Sequence, residues 1–169
     1  IIINKDILKT SNNFYKKYFN NKRVLGVHLR GTDQKISASH AFPPTIYEIQ
    51  KLIDKKLKEK SIDKIFLLTE QLNYYIKLKK RYGNLICAYN FYRANKVKDF
   101  SSYKRKNHRN RLGIENLIET ITLSKCNEIV YCETNISMFS IFYSNFKIKR
   151  FHLNKGIKSD KIYMSRFEW

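Results

Sequence analysis

The sequence predicts an α/β fold of the Rossmann type, in which a parallel sheet carries helices on both faces. Short apolar runs alternate along the chain with segments of helical periodicity. Most of these runs are continuously apolar, which is typical of strands buried on both faces of a parallel sheet. The 169 residues suffice for one domain with a hydrophobic core and are too few for two domains that build a cleft. We therefore expect a single domain.

The predicted elements follow in order along the chain. Five apolar runs that stop at polar edges are predicted as strands: 24–29, 64–69, 85–89, 128–132 and 147–153. Four segments with apolar residues at helical spacing are predicted as helices: 46–57, 72–82, 112–125 and 136–144. Thr45 is placed to cap the first of these helices, and Gly83 to end the second. Residues 90–110 lack a clear period and are predicted as a long excursion with at most a short helix.

Ligands of parallel α/β sheets collect at the carboxyl ends of the strands. The segments that follow the first four predicted strands are therefore expected to line one edge of the sheet. These segments are 30–33, 69–71, 90–93 and 133–137.

Composition narrows the class of protein. Lys and Arg number 34 against 14 Asp and Glu, so the formal charge of +20 would attract a polyanion. The alternative is the bias of an AT-rich coding sequence, since Lys, Ile, Asn and Tyr are all abundant. Three cysteines are present, Cys87, Cys126 and Cys132, and they lack C-x-x-C spacing. We therefore expect neither disulfides nor a metal site, and we predict a structural role for each cysteine. The apolar start at 1–3 is too short for a signal peptide, so a cytoplasmic protein is expected.

The turn after the first predicted strand carries the strongest functional signal. Neither a G-x-G-x-x-G string nor a P-loop is present, which excludes the usual dinucleotide and P-loop sites. In their place stands His28-Leu29-Arg30-Gly31-Thr32-Asp33, where strand periodicity puts His28 and Arg30 on one side. The Arg30 fork can hold a diphosphate, Gly31 lets the backbone approach, Thr32 adds a hydroxyl, and Asp33 orients Arg30 or caps the turn. The alternative is a plain turn with an Arg30–Asp33 salt bridge.

The string GVHLRGTD resembles the donor-binding motif of the glycosyltransferase superfamily of α1,6-fucosyltransferases, Nod-factor fucosyltransferases and protein O-fucosyltransferases. Further pieces follow in the family's order: FLLTE at 66–70, RYGNL at 81–85, LSKCN at 123–127 and TNIS at 134–137. The resemblance covers roughly 24–145. It implies the C-terminal, donor-binding domain of a GT-B enzyme, whose complete members carry a second Rossmann-like domain before this one.

The resemblance also implies a reaction and a set of site residues. Fucose would pass from GDP-fucose to an acceptor hydroxyl with inversion, without a metal or other cofactor. Arg30 would bind the diphosphate, His28 would shape the same site, and Glu119 would read the guanine. The other residues implied in nucleotide or phosphate binding are Arg109 or Arg111, Thr134, Asn135 and Ser137. Two alternatives remain open. Glu119 could be a solvated helix residue, and Thr134 or Ser137 could simply cap a helix.

The catalytic base departs from the family pattern. The α1,6-fucosyltransferases carry a glutamate shortly after the motif, whereas this sequence has no carboxylate between Asp33 and Glu48. His40 is the group available in that interval, and imidazole is a common general base near neutral pH. A binding or structural role for His40, and Asp33 or Glu70 as the base, are the alternatives.

The expected organisation has three parts. Residues 1–22 are predicted as a remnant of, or linker to, a missing N-terminal domain, 23–155 as the nucleotide-sugar-binding domain, and 156–169 as a basic C-terminal tail. The expected partners are a nucleotide sugar and a glycan or glycolipid acceptor in bacterial surface-polysaccharide synthesis, with peripheral contact to an anionic inner membrane. The basic stretch 104–111, with aromatic residues upstream, leaves one alternative: a non-catalytic domain that binds nucleic acid or anionic membrane.

Overall fold

The computed structural model describes residues 2–31, 34, 37–96 and 105–161. A five-stranded sheet with the order β3-β2-β1-β4-β5 forms its centre, and every adjacent pair of strands is parallel. The strands are β1 (Val24–His28), β2 (Lys64–Leu68), β3 (Ile86–Cys87), β4 (Glu128–Tyr131) and β5 (Lys149–His152). The predicted parallel α/β sheet is therefore confirmed.

Five α-helices within the described residues cover the two faces of this sheet. They are α1 (Lys5–Tyr18), α2 (Ile46–Lys58), α3 (Leu72–Tyr82), α4 (His108–Leu123) and α5 (Asn135–Tyr143). Helices α2 and α3 cover one face, where Ile49, Ile53 and Leu78 pack with Leu25 and Val27 of β1. All five of these side chains are fully buried. Such burial is the main favourable contribution to folding.

Helices α1, α4 and α5 cover the opposite face. Phe14, Leu123 and Ile141, one from each helix, pack with Phe66 and Ile129 of the sheet. The aromatic ring of Phe14 meets that of Phe66 edge-on, with centroids 5.5 Å apart. Helices on both faces, as the sequence predicts, are therefore confirmed.

Gly26 allows helix α4 to approach β1 closely. A Cβ atom built on Gly26 would lie 2.5 Å from Cδ1 of Leu123 and 3.2 Å from Sγ of Cys126. The absence of a side chain in the middle of β1 thus brings the end of α4 against the sheet. Cys126 is buried there as a free thiol, as are Cys87 and Cys132, which agrees with the structural role predicted for the cysteines.

The structure differs from the sequence predictions at three elements. Helix α4 begins at His108, within the stretch predicted as a long excursion, and β3 is only two residues long. The N-terminal segment, predicted as a remnant or linker, contains the 14-residue helix α1. Asn4 caps α1 by accepting a hydrogen bond from the Asp6 amide at 2.8 Å. Whether this segment once joined another domain stays a prediction.

Candidate functional site

The topology of the sheet predicts where a ligand would bind. From β1 the chain crosses to β2 and β3 on one side, and then returns to β4 on the other side of β1. A crevice opens outside the carboxyl ends of the strands at such a switch point. A cavity of about 420 Å³ lies there. Its lining residues are Arg30, Ser39, His40, Ala41, Glu133, Thr134, Asn135, Met138 and Ile157.

Arg30 brings positive charge to this cavity from the end of β1. Its side chain is 23% exposed, and its Nε atom lies 3.7 Å from Oε1 of Glu70, which follows β2. The same Glu70 oxygen accepts a hydrogen bond from the Gly31 amide at 3.0 Å. Glu70 therefore holds both the Arg30 side chain and the backbone beside it, which orients the guanidinium before a ligand arrives.

His28 supports the site from below the cavity surface. Its ring is fully buried, and Nδ1 lies 3.3 Å from the hydroxyl of Thr134. Burial, together with the positive charge of Arg30, lowers the pKa of His28 to about 3. The ring is therefore neutral near pH 7, and it shapes the site without adding charge.

The N-terminus of α5 forms the wall of the cavity that β4 contributes. Thr134 caps this helix: its hydroxyl accepts the Ser137 amide at 3.1 Å, and the Thr134 amide donates to the Ser137 hydroxyl at 3.1 Å. The Ser137 hydroxyl is buried and donates to the carbonyl oxygen of Cys132 at 2.8 Å. Thr134 and Ser137 thus both make capping contacts. Thr134 and the exposed Asn135 also line the cavity, whereas Ser137 does not. The first amides of a helix have no partner within the helix and favour an anion.

His40 reaches the cavity from the segment between β1 and α2. It is exposed, and its carbonyl oxygen accepts a hydrogen bond from the Lys158 amide at 3.0 Å. The adjacent residue Ala41 pairs antiparallel with Ile157. The segment predicted as a basic tail thus returns to the site, where Ile157 forms part of the cavity wall.

Gly31 was predicted to let the backbone come close to a ligand, but the structure gives it a different role. A Cβ atom there would lie 2.1 Å from Oε1 of Gln71 and 2.4 Å from Cε2 of Tyr74. These side chains of the β2–α3 connection fill the space beside the glycine. Gly31 is therefore required for packing, and it does not line the cavity.

Glu119 lies on α4 and is only 6% exposed, so the alternative of a solvated helix residue is wrong. Oε1 of Glu119 is 3.9 Å from the Arg93 guanidinium and has no hydrogen-bond partner in the described part of the chain. Burial raises the pKa of Glu119 to about 8, although the charge of Arg93 opposes this rise. The carboxyl group is therefore mostly protonated at pH 7. It does not line the cavity.

The remaining predicted residues lie elsewhere. Arg109 and Arg111 are exposed on α4 and do not line the cavity. Thr32 and Asp33, predicted beside Arg30, are outside the described residues. Within the ranges that the structure describes, no three His, Cys, Asp or Glu side chains form a group able to hold a metal ion. No helix in those same ranges has the length and apolar character needed to cross a membrane.

The sequence analysis does not assign the roles that three residues have in this region. Glu70 is expected at the edge of the sheet and as an alternative base, whereas the structure shows that it orients Arg30 from the neighbouring strand. Arg93 is the partner of Glu119, and Lys158 holds the backbone beside His40. Glu70 and Arg93 both follow predicted strands, and that position at the edge of the sheet was the one available signal. Lys158 carries no comparable signal.

Neither a protein-family profile nor a curated protein sequence matches this chain. The structure, however, matches solved fucosyltransferases. NodZ α-1,6-fucosyltransferase co-crystallised with GDP aligns with a TM-score of 0.57 and 16% identity, over 86% of this chain and 42% of that one. Fucosyltransferase NodZ from Bradyrhizobium aligns with a TM-score of 0.59 and 14% identity, over 93% of this chain and 48% of that one.

POFUT1 in its apo form aligns with a TM-score of 0.54 and 10% identity, over 88% of this chain and 46% of that one. The chain thus spans less than half the length of these structures. At such low identity the likeness concerns the fold, and it shows that this chain shares the fold of the matched part of these fucosyltransferases. The predicted resemblance is confirmed at that level.

Proposed function

We propose that this chain is the donor-binding domain of a glycosyltransferase that uses a nucleoside diphosphate sugar, with GDP-fucose as the donor. The observation that carries the proposal is the cavity at the switch point, where Arg30 and the N-terminus of α5 meet. Both features favour an anion. The shared fold with a GDP-bound NodZ supports a guanine nucleotide as that anion.

The leaving diphosphate is the group that this site is suited to stabilise. When the bond between the anomeric carbon and the diphosphate oxygen breaks, negative charge develops on that oxygen. Arg30 and the first amides of α5 would stabilise this charge, and Glu70 holds Arg30 in place beforehand. The acceptor hydroxyl would attack the opposite face of the sugar, which inverts the configuration. This charge stabilisation comes from the chain's own residues and needs no metal.

His40 is the proposed base that takes the proton from the acceptor hydroxyl. It is exposed and lines the same cavity as Arg30. Glu70 is less suited, because it is 8% exposed and already holds Arg30 and the Gly31 amide. His28 is also less suited, because its buried ring does not line the cavity.

Glu119 is the residue proposed to recognise the guanine ring of the nucleotide. The support is its buried oxygen Oε1, which lacks a hydrogen-bond partner in the described part of the chain. A buried polar atom without a partner is costly, and a donor group of a guanine ring would satisfy it. Such binding requires local rearrangement, because Glu119 is 6% exposed outside the cavity.

The acceptor and the cellular setting complete the proposal. A hydroxyl of a glycan or glycolipid would be the acceptor, in bacterial surface-polysaccharide synthesis at the cytoplasmic side of the inner membrane. The charge of +20 would favour peripheral contact with anionic lipids there. The same charge would also bind other polyanions without specificity, so the test must separate the two kinds of binding.

Calorimetric titration of GDP, GDP-fucose, UDP and ADP at low and high salt provides this test. A specific site prefers the two guanine nucleotides and keeps that preference as salt rises. Equal, weak binding of all four nucleotides that disappears with salt would contradict the proposal. It would favour the nonspecific binding domain that the charge alone suggests.

Arg30→Ala should weaken GDP binding by roughly 10- to 150-fold, since a charge-assisted contact contributes about 1.5–3 kcal/mol. Arg150→Ala is the matched control, because it removes the same charge from an exposed position on β5, outside the cavity. Calorimetry measures the affinity, and urea unfolding checks that both variants remain folded. Similar losses in the two variants would show that total charge, and not this site, binds the nucleotide.

A further inference from the structure

Residues 156–159 form a short strap along the segment that carries His40. The Phe42 amide donates to the carbonyl oxygen of Gly156 at 3.1 Å, and the Ser39 amide donates to that of Ser159 at 3.1 Å. The Lys158 amide donates in the opposite direction, to His40, at 3.0 Å. The strap thus adds a second, antiparallel piece of chain to one wall of the cavity.

Lys158 fastens the strap from within the protein. Its side chain is 2% exposed, and its ammonium group donates a hydrogen bond to the carbonyl oxygen of Gln34. Gln34 is also buried, and its amide group donates to the carbonyl oxygen of Ala41 at 3.1 Å. Lys158 and Gln34 therefore connect the strap, the chain after β1 and the segment 39–42.

Because the ammonium group of Lys158 is buried, we expect the strap to be either fully docked or fully undocked. Removing a lysine head from water is costly unless it is paired and hydrogen-bonded. The contacts that compensate Lys158 exist only while the strap is docked. When the strap leaves, the segment 39–42 loses three backbone hydrogen bonds at once. His40 and Ile157 would then no longer line the same cavity.

We propose that Lys158 is a positioning residue of the donor site, and that donor binding and docking of the strap stabilise each other. This inference rests on the proposed function of the cavity. A donor that contacts the wall formed by Ser39, His40 and Ile157 binds the docked state more tightly than the undocked one. Linkage then requires that the bound donor lower the fraction of molecules in which the strap is undocked.

The test compares Lys158→Met with Lys161→Met and Lys158→Arg. Lys161 is exposed beyond the strap, so its substitution removes the same charge without removing the buried contact. Hydrogen exchange of the Ser39, Phe42 and Lys158 amides reports docking, calorimetry reports GDP affinity, and urea unfolding reports global stability.

If Lys158→Met leaves one molecule in ten docked, the affinity for GDP should fall about tenfold, and these three amides should exchange at least about tenfold faster than in the mostly docked wild type. Lys158→Arg should keep part of the wild-type exchange protection and of the wild-type affinity for GDP. Lys161→Met should change neither the exchange rates nor the affinity. In the wild type, GDP should slow exchange at the same amides. Unchanged exchange in Lys158→Met, or a uniform increase across all amides, would overturn the inference.

Gly156→Ala serves if Lys158→Met does not fold. Gly156 has a φ of 83°, and an added Cβ would meet no atom within 4 Å, so this variant strains only the strap. It should reproduce faster exchange at Ser39 and Phe42, and unchanged exchange would overturn the inference. A wild-type chain that does not bind GDP would overturn the proposed function. Exchange without nucleotide would then still decide whether Lys158 positions this wall.

Discussion

At the scale of single residues, Glu119 shows how burial and charge compete. The Arg93 guanidinium is 3.9 Å away and lowers the pKa of the carboxyl group, yet burial outweighs it and raises that pKa to about 8. The unfolded chain releases the same proton near pH 4.5. The folded state therefore holds a proton that the unfolded state has lost throughout this interval, which makes stability depend on pH.

Stability should consequently fall as pH rises from about 4.5 to 8, by up to about 1.4 kcal/mol per pH unit from this group. Glu119→Gln, which cannot ionise, should lack this component and become the more stable form above pH 8. Urea unfolding at several pH values measures the difference between the two proteins. Glu59→Gln, at the exposed end of α2, should retain the wild-type slope. Parallel profiles for wild type and Glu119→Gln would contradict the assigned burial effect.

Gly26 is a second residue whose surroundings determine how a substitution changes stability. Gly26→Ala would place a Cβ 2.5 Å from Leu123 and 3.3 Å from Cβ of Cys126, so α4 would have to move away from β1. We expect a loss of about 1–3 kcal/mol in the free energy of unfolding. Gly113→Ala, within α4, adds a Cβ with nothing within 4 Å and should stabilise by about 0.5–1 kcal/mol. Urea unfolding measures both, and an unchanged Gly26→Ala would contradict the close approach.

At the scale of elements, helices α2 and α5 begin with the same local structure but have different surroundings. Thr45 and Thr134 each form a capping box, with Glu48 and Ser137 respectively. Only Thr134 also lines the cavity and lies beside the buried His28. The pair therefore separates the contribution of a cap to stability from its contribution to a binding site.

Thr45→Ala and Thr134→Ala should each lower stability by about 1 kcal/mol through loss of the cap. Thr134→Ala alone should weaken GDP binding, by roughly tenfold or more, if its hydroxyl contacts the charged diphosphate. Urea unfolding and calorimetry on the two variants provide the comparison. Equal affinity for GDP in both would remove Thr134 from the proposed site.

At the scale of the whole molecule, the sheet was predictable because its strands are continuous apolar runs that differ sharply from the polar turns after them. Helix α1 was missed because its buried face is limited to Ser11 and Phe14 within a run rich in Lys and Asn. The partners of Arg30 and Glu119 were missed because they lie on other strands and loops, and pairing across a sheet leaves no local pattern. Arg30, Thr134 and Asn135 belong to segments predicted to line one edge of the sheet, and in the structure they line one cavity together with His40.

The two outer strands of the sheet bear on the behaviour of the protein at high concentration. An edge strand offers unpaired backbone groups to any other chain, which is a common route to aggregation. Here β3 is two residues long, and β5 has exposed Lys149 and Arg150. The β3 edge is thus too short to pair with a strand of another molecule. The positive charge of the β5 edge repels the equally basic edge of a second copy. The charge that attracts anionic ligands would in this way also keep copies of the domain from joining edge to edge.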